Sequence, residues 1–130
     1  MKRIQMGTHR APPRPVVLVV EDDAFQLMTA VDMAADAGFE VLEAHNADEA
    51  IAILESRSDI RIIFTDVEMP GSMDGLKLAA AVRDRWPPVE IIVTSGKGLP
   101  DDWTMPERGA FFPKPYDSHR VLAKMREFAG

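Results

Sequence analysis

The segment Ile62-Ile63-Phe64-Thr65-Asp66-Val67-Glu68-Met69-Pro70-Gly71-Ser72-Met73-Asp74-Gly75-Leu76 decides how this chain folds. From Arg61 to Thr65 it is a short, β-branched, apolar run without polar alternation. A run that is apolar throughout suits a strand covered on both faces, as in a parallel sheet. Asp66 closes the run, and Pro70-Gly71 turns the chain. From Asp74 to Trp86, Leu76, Ala79, Ala80 and Val82 recur at helical spacing, until Pro87 and Pro88 forbid any continuation. The segment therefore reads as a strand, an acidic turn and a helix.

The same unit recurs outward in both directions. Further strands are expected at Val16 to Val20, Glu40 to Ala44, Val89 to Thr94 and Ala110 to Phe112, with Glu40 to Ala44 at an edge. Ala24 to Ala37 reads as a helix burying Phe25, Met28, Val31 and Ala35, capped by Asp22 or Asp23 and stopped by Gly38. Asn46 with Glu49 opens a second helix as a capping box, burying Ala50, Ile51 and Leu54. Asp117 to Phe128 carries Val121, Leu122, Met125 and Phe128 on one face, capped by Asp117 or Ser118. Between Gly96 and Gly109, Gly98, Pro100 and Pro106 leave room only for a short helix around Asp101 to Met105 or an irregular element. Five β-α repeats with right-handed crossovers predict an open parallel α/β sheet sandwiched by helices, in one domain over residues 16–130.

Met1 to Pro15 has no apolar periodicity and three prolines, and reads as a disordered basic arm. The arm holds Lys2, Arg3, Arg10 and Arg14 and no acid, so residues 16–130 hold 11 basic against 21 acidic residues, a formal charge of −10. Such a body repels phosphate backbones, which disfavours a nucleic-acid role. The chain of 130 residues lacks cysteine, which excludes disulfides, thiolate metal sites and a cysteine nucleophile. No apolar run approaches the ~20 residues needed to span a bilayer, and the arm lacks the apolar core of a secretory signal.

In open α/β sheets, ligands bind outside the carboxyl ends of the strands. That edge collects Glu21, Asp22 and Asp23 after the first strand, Asp66 after the third, Thr94 and Ser95 after the fourth and Lys114 after the fifth. Singly, each has an ordinary explanation: a helix cap, a turn residue, a strand end or a solvated charge. Together, clustered carboxylates repel one another unless a cation lies between them. Oxygen ligands without histidine or cysteine select a hard ion; Mg²⁺ fits better than Ca²⁺, and Mn²⁺ is an acceptable substitute. A metal, an ammonium and a hydroxyl around one aspartate suit a phosphoryl group, with Asp66 the candidate nucleophile. His9, His45 and His119 have no metal-ligand spacing.

The motifs VVLVVEDD (16–23), IIFTDVEMPGSMDGL (62–76), IIVTS (91–95) and FFPKPY (111–116) resemble, in order and spacing, the receiver domain of bacterial two-component response regulators, over about Val16 to Ala129. The resemblance implies a flavodoxin-like sheet of order 2-1-3-4-5. It implies Asp66 as phosphoacceptor, Asp22 as direct Mg²⁺ ligand, Glu21 as an acid helping through water, and the Glu68 main-chain carbonyl completing the metal shell. It further implies Thr94 as the switch hydroxyl, Lys114 as the phosphoryl-contacting lysine, Phe111 as the aromatic that changes rotamer with Thr94, and a cis Lys114-Pro115 peptide. The turn after Asp66 is one residue longer than the commonest family version, and Phe111 lacks a tyrosine's hydroxyl. The Glu68 carboxylate, near the path of a hydrolytic water, is expected to tune the lifetime of the phosphorylated form.

The expected function is that of a free-standing, cytoplasmic single-domain response regulator, a monomer or weak dimer. It takes a phosphoryl group from a histidine kinase or histidine phosphotransfer protein and signals to an unknown downstream protein, without contacting nucleic acid or membrane. It is a self-phosphorylating acceptor with autodephosphorylation rather than an enzyme on external substrates. Two other classes compete: a receiver-like interaction module that is never phosphorylated, and a Mg²⁺ phosphohydrolase with an aspartate nucleophile. The intact acid set, Thr94 and Lys114 argue against the module, and the short chain against the hydrolase's cap domain. Trp103 is expected to cover the core, with a partner-anchor role as the alternative, and Trp86 to pack at its helix end.

Overall fold

A computed structural model describes residues 13–130 of the protein, so the reading of the arm lies largely outside the described residues. The chain runs β1 (Val16–Val20), α1 (Ala24–Asp36), β2 (Glu40–Ala44), α2 (Ala47–Ser56), β3 (Ile60–Asp66), α3 (Gly75–Arg85), β4 (Glu90–Ser95), β5 (Gly109–Pro113) and α4 (Ser118–Ala129). The five strands are all parallel in the order β2-β1-β3-β4-β5, the flavodoxin-like arrangement. β2 is an edge strand. Among the described residues no helix is long and apolar enough to cross a membrane.

The continuous apolar runs bury both faces of the sheet, and the strand period of two divides their side chains between two cores. Val16, Leu18, Val20, Ile63, Ile91 and Val93 pack under α2 and α3. Val17, Val19, Ile62, Phe64 and Ile92 pack under α1 and α4. The strand ends therefore bring the following loops to one edge.

Helix caps resolve the choices the sequence left open. Asp23, not Asp22, caps α1 by accepting the Gln26 N–H at 2.9 Å, and Gly38, at φ 100°, turns the chain out of the helix. Asp117, not Ser118, caps α4. Asn46 accepts the Glu49 N–H at 2.8 Å, but the return bond from Glu49 goes to the N–H of His45, one residue before the cap itself.

The face of α1 is a correction. Leu27, Ala30 and Ala34 are buried, while Phe25 and Met28 stand 74% and 57% exposed, Ala35 is exposed, and Val31 is half-buried. α1 carries two apolar stripes at helical spacing, and hydrophobicity alone ranks the larger side chains first. The cap at Asp23 and the three-residue β1–α1 connection set the rotation of the helix, and they turn the smaller stripe to the sheet. On α3, likewise, Leu78 is buried and Ala80 is exposed. The Gly96–Arg108 segment holds no helix; Leu99, Trp103 and Met105 are laid half-buried against the α2/α3-side core. Trp103 and Trp86 both pack on that core.

Candidate functional site

Each parallel strand delivers its last residue to the same edge. Asp66 ends β3 and lies in register with Thr94 of β4, which lies in register with Phe112 of β5. Glu21 and Asp22 follow β1, and Lys114 follows β5 through a Lys114 N–H bond to the Ser95 carbonyl at 2.9 Å. The Lys114-Pro115 peptide is cis, as the resemblance implied.

Five of the side chains singled out in the sequence meet here. Carboxylate oxygens of Glu21, Asp22 and Asp66 lie within 4.8 Å of one another; Glu21 and Asp66 are buried and Asp22 is exposed. Lys114 Nζ lies 3.2 Å from Asp66 Oδ1 and donates to Glu21 Oε1 at 3.2 Å. No hydrogen bond reaches Asp66 Oδ1, although the residue is only 4% exposed. The Thr94 hydroxyl, also buried at the rim, donates to the Phe112 carbonyl at 2.8 Å, away from the carboxylates. A cleft of about 430 Å³, lined by Phe25, Gln26, Asp66, Lys114 and Tyr116 among others, opens from Asp66 between α1 and the β5–α4 connection.

Charge in this cluster is unbalanced, three carboxylates to one ammonium. Burial pushes Asp66 above the usual carboxylate range; Lys114 opposes the shift and Glu68 adds to it. Glu21 is raised by burial, with a further push from Asp66 that outlasts the opposing Asp23 N–H bond and Lys114. Burial pulls the Lys114 ammonium down, but Asp66 and Glu21 outweigh it and hold the group protonated. A buried carboxylate oxygen without a donor, among oxygen ligands only, fits a hard divalent cation.

Two other side chains singled out in the sequence turn elsewhere. The Glu68 carboxylate reaches across to β4, where the Ser95 hydroxyl and the Gly96 N–H, at 3.1 Å, donate to it. Phe111 is half-buried against the α2/α3-side core and does not line the cleft.

Sequence reasoning missed two contributors. Gln26, in the first turn of α1, accepts from Lys114 Nζ at 2.6 Å; at an exposed helical position it gave no signal. Gly75 begins α3 against the phosphoacceptor candidate's own backbone: a Cβ there would lie 1.9 Å from the Asp66 carbonyl oxygen. Glycine as a first helical residue was the available sign, since it weakens a helix unless backbone must approach closely.

Comparison with known proteins agrees with this edge. Residues 17–126 match the family model of the response regulator receiver domain. The chain is 32% identical over 113 residues to the DNA-binding transcriptional regulator NtrC of Salmonella typhimurium, covering 85% of this chain but 24% of that protein. This chain thus spans about a quarter of that relative's length. Among solved structures, a response regulator receiver protein from Pseudomonas putida superposes with a TM-score of 0.78 at 26% identity, over 90% of this chain and 99% of that one. The receiver domain of the hybrid histidine kinase CckA superposes with a TM-score of 0.75 at 28% identity, over 88% and 99% of the two chains. With sheet order, acidic edge and sequence in agreement, the chain belongs to the response regulator receiver domain family.

Proposed function

We propose that Asp66 accepts a phosphoryl group from the phosphohistidine of a histidine kinase or histidine phosphotransfer protein, and that the phosphorylated chain signals through protein contacts. The observation that carries this reading is Asp66 Oδ1: buried, without a hydrogen-bond donor, and 3.2 Å from the Lys114 ammonium. An Asp66 oxygen attacks phosphorus, the P–N bond of the donor breaks, and its electron pair returns to the imidazole. Glu21, Asp22, Asp66 and the Glu68 carbonyl would hold Mg²⁺, or Mn²⁺ in its place, which when bound supplies positive charge for the phosphoryl oxygens.

The rest falls to the chain's own groups. Lys114 neutralises phosphoryl oxygen on the side facing β5. The Thr94 hydroxyl, once turned from the Phe112 carbonyl, donates to the phosphoryl group, and losing that bond to β5 is the local event that reaches Phe111 and the neighbouring surface. The Glu68 carboxylate, fastened to Ser95 and Gly96, tunes the lifetime of the phosphorylated form once it is released from them. Phe25 and Met28, exposed on α1 beside the cleft, offer the phosphodonor an apolar surface to dock against.

The test is incubation with acetyl phosphate and Mg²⁺, followed by intact mass for the parent and for Asp66→Asn. A phosphoryl adduct on the parent alone is expected. No adduct on the parent overturns the proposal in favour of a binding module, and turnover of unrelated phosphate esters overturns it in favour of a phosphohydrolase.

A further inference from the structure

An ammonium has three protons, and Lys114 faces three acceptors. Nζ donates to Gln26 Oε1 at 2.6 Å and to Glu21 Oε1 at 3.2 Å, and lies 3.2 Å from Asp66 Oδ1. The shortest of the three contacts is thus to the only uncharged acceptor. Gln26 neutralises nothing; it directs protons. Its place is set by the cap of α1, because Asp23 accepts the Gln26 N–H at 2.9 Å, and Asp23 in turn donates its own N–H to Glu21 at 3.1 Å. Gln26, Glu21 and Lys114 therefore form one short network beside Asp66.

We propose that Gln26 is a positioning residue for phosphoryl transfer: its amide oxygen, at the shortest of the three contacts, anchors the Lys114 ammonium beside Asp66 so that Nζ meets the incoming phosphoryl oxygens. The inference rests on the reading of Asp66 as phosphoacceptor. An ammonium held in one place loses less side-chain freedom when it meets phosphoryl oxygen, and a contact that is geometrically ready in advance favours the transition state. With Gln26 as anchor, the ammonium stays near enough to stabilise incoming phosphoryl oxygens.

Gln26→Met keeps the length and helix preference of the side chain and removes the acceptor, while Gln26→Glu keeps an acceptor. The position is exposed, so both variants retain the fold. Phosphorylation is followed by intact mass over a range of acetyl phosphate at saturating Mg²⁺, and the Lys114 ammonium is observed by ¹⁵N NMR in the unphosphorylated proteins. In Gln26→Met the maximal rate constant is expected to fall about three- to tenfold, the kinetic equivalent of one hydrogen bond, with the half-saturating donor concentration unchanged. The Lys114 ammonium signal is expected to shift in that variant, and Gln26→Glu to recover most of both losses. A labelled parent with Gln26→Met at the parental rate, or no recovery in Gln26→Glu, overturns the assignment of Gln26 alone. A parent that takes no label overturns the phosphoacceptor reading beneath it.

Discussion

The two edges of the sheet carry the same kinds of charged residue and use them in opposite ways. At the strand starts charges are paired: Arg57 reaches Asp59 at 2.6 Å and Glu40 at 3.3 Å, Arg108 reaches Glu90 at 2.9 Å, and Arg85 joins Glu55 at 2.7 Å. Arg61 there donates to the last carbonyls of α4, on Phe128 and Ala129, where a cation complements the helix dipole. At the strand ends three carboxylates cluster around one lysine that reaches Glu21 and Asp66, and Asp66 Oδ1 is buried. A hydrogen bond from Arg57 holds Asp59 below the usual carboxylate range, while burial lifts Asp66 and Glu21 above it. One edge pairs its carboxylates largely in solvent and leaves unpartnered only the buried Nε and Nη2 of Arg83; the other leaves a buried carboxylate oxygen without a donor, the kind of imbalance that clusters at functional sites.

The sharpest way to break this contrast is Gly75→Ala. Its Cβ would meet the Asp66 carbonyl, which is backbone and cannot yield without moving the end of β3. The variant is expected to lose about 3 kcal/mol of stability in urea denaturation, together with acetyl phosphate labelling. Retention of both would show that α3 can withdraw from Asp66 at no cost.

Metal removal sharpens the contrast from the other side. In EDTA, Asp66→Asn should be more stable than the parent by about 1–2 kcal/mol, because it removes a buried, incompletely paired carboxylate. The pH dependence should follow the same group. With Asp66 and Glu21 raised in the folded state, the fold binds protons that the unfolded chain does not. The penalty is therefore fully present above their raised values and fades as pH falls toward the ordinary carboxylate range. Melting curves in EDTA should show the parent gaining stability on mild acidification and Asp66→Asn gaining less. Adding Mg²⁺ should reverse the ranking by stabilising the parent, by about 2.7 kcal/mol at a hundred times its dissociation constant.

The smallest effect belongs to the strand starts. Arg57→Ala should lower stability slightly, and less at high salt, since the pair is exposed and screened. A loss as large as that of Gly75→Ala would show that this edge, too, holds the fold together.

Strand positions were legible because burial on both faces writes an unbroken apolar run, and Asp66, Thr94 and Lys114 were legible because a parallel sheet sends every strand end to one edge. The rotation of α1 was not. Phe25 and Met28 are large and apolar, yet they face solvent while Leu27, Ala30 and Ala34 face the sheet, and two apolar stripes on one helix leave that choice to its packing. Gln26 was invisible for a related reason: an exposed glutamine on a helix gives no sign of the lysine it meets, 88 residues along the chain. Gly75 was half legible, as a glycine where a helix would prefer another residue.

The α/β alternation and the acidic edge could be read from the chain, because periodicity and strand ends are local properties. Folding settled which face of α1 is buried, which acceptors Lys114 and Thr94 reach, and that Asp66 Oδ1 lies beside an ammonium in a buried edge. Those depend on distances between segments remote in sequence, which packing sets and no local pattern records.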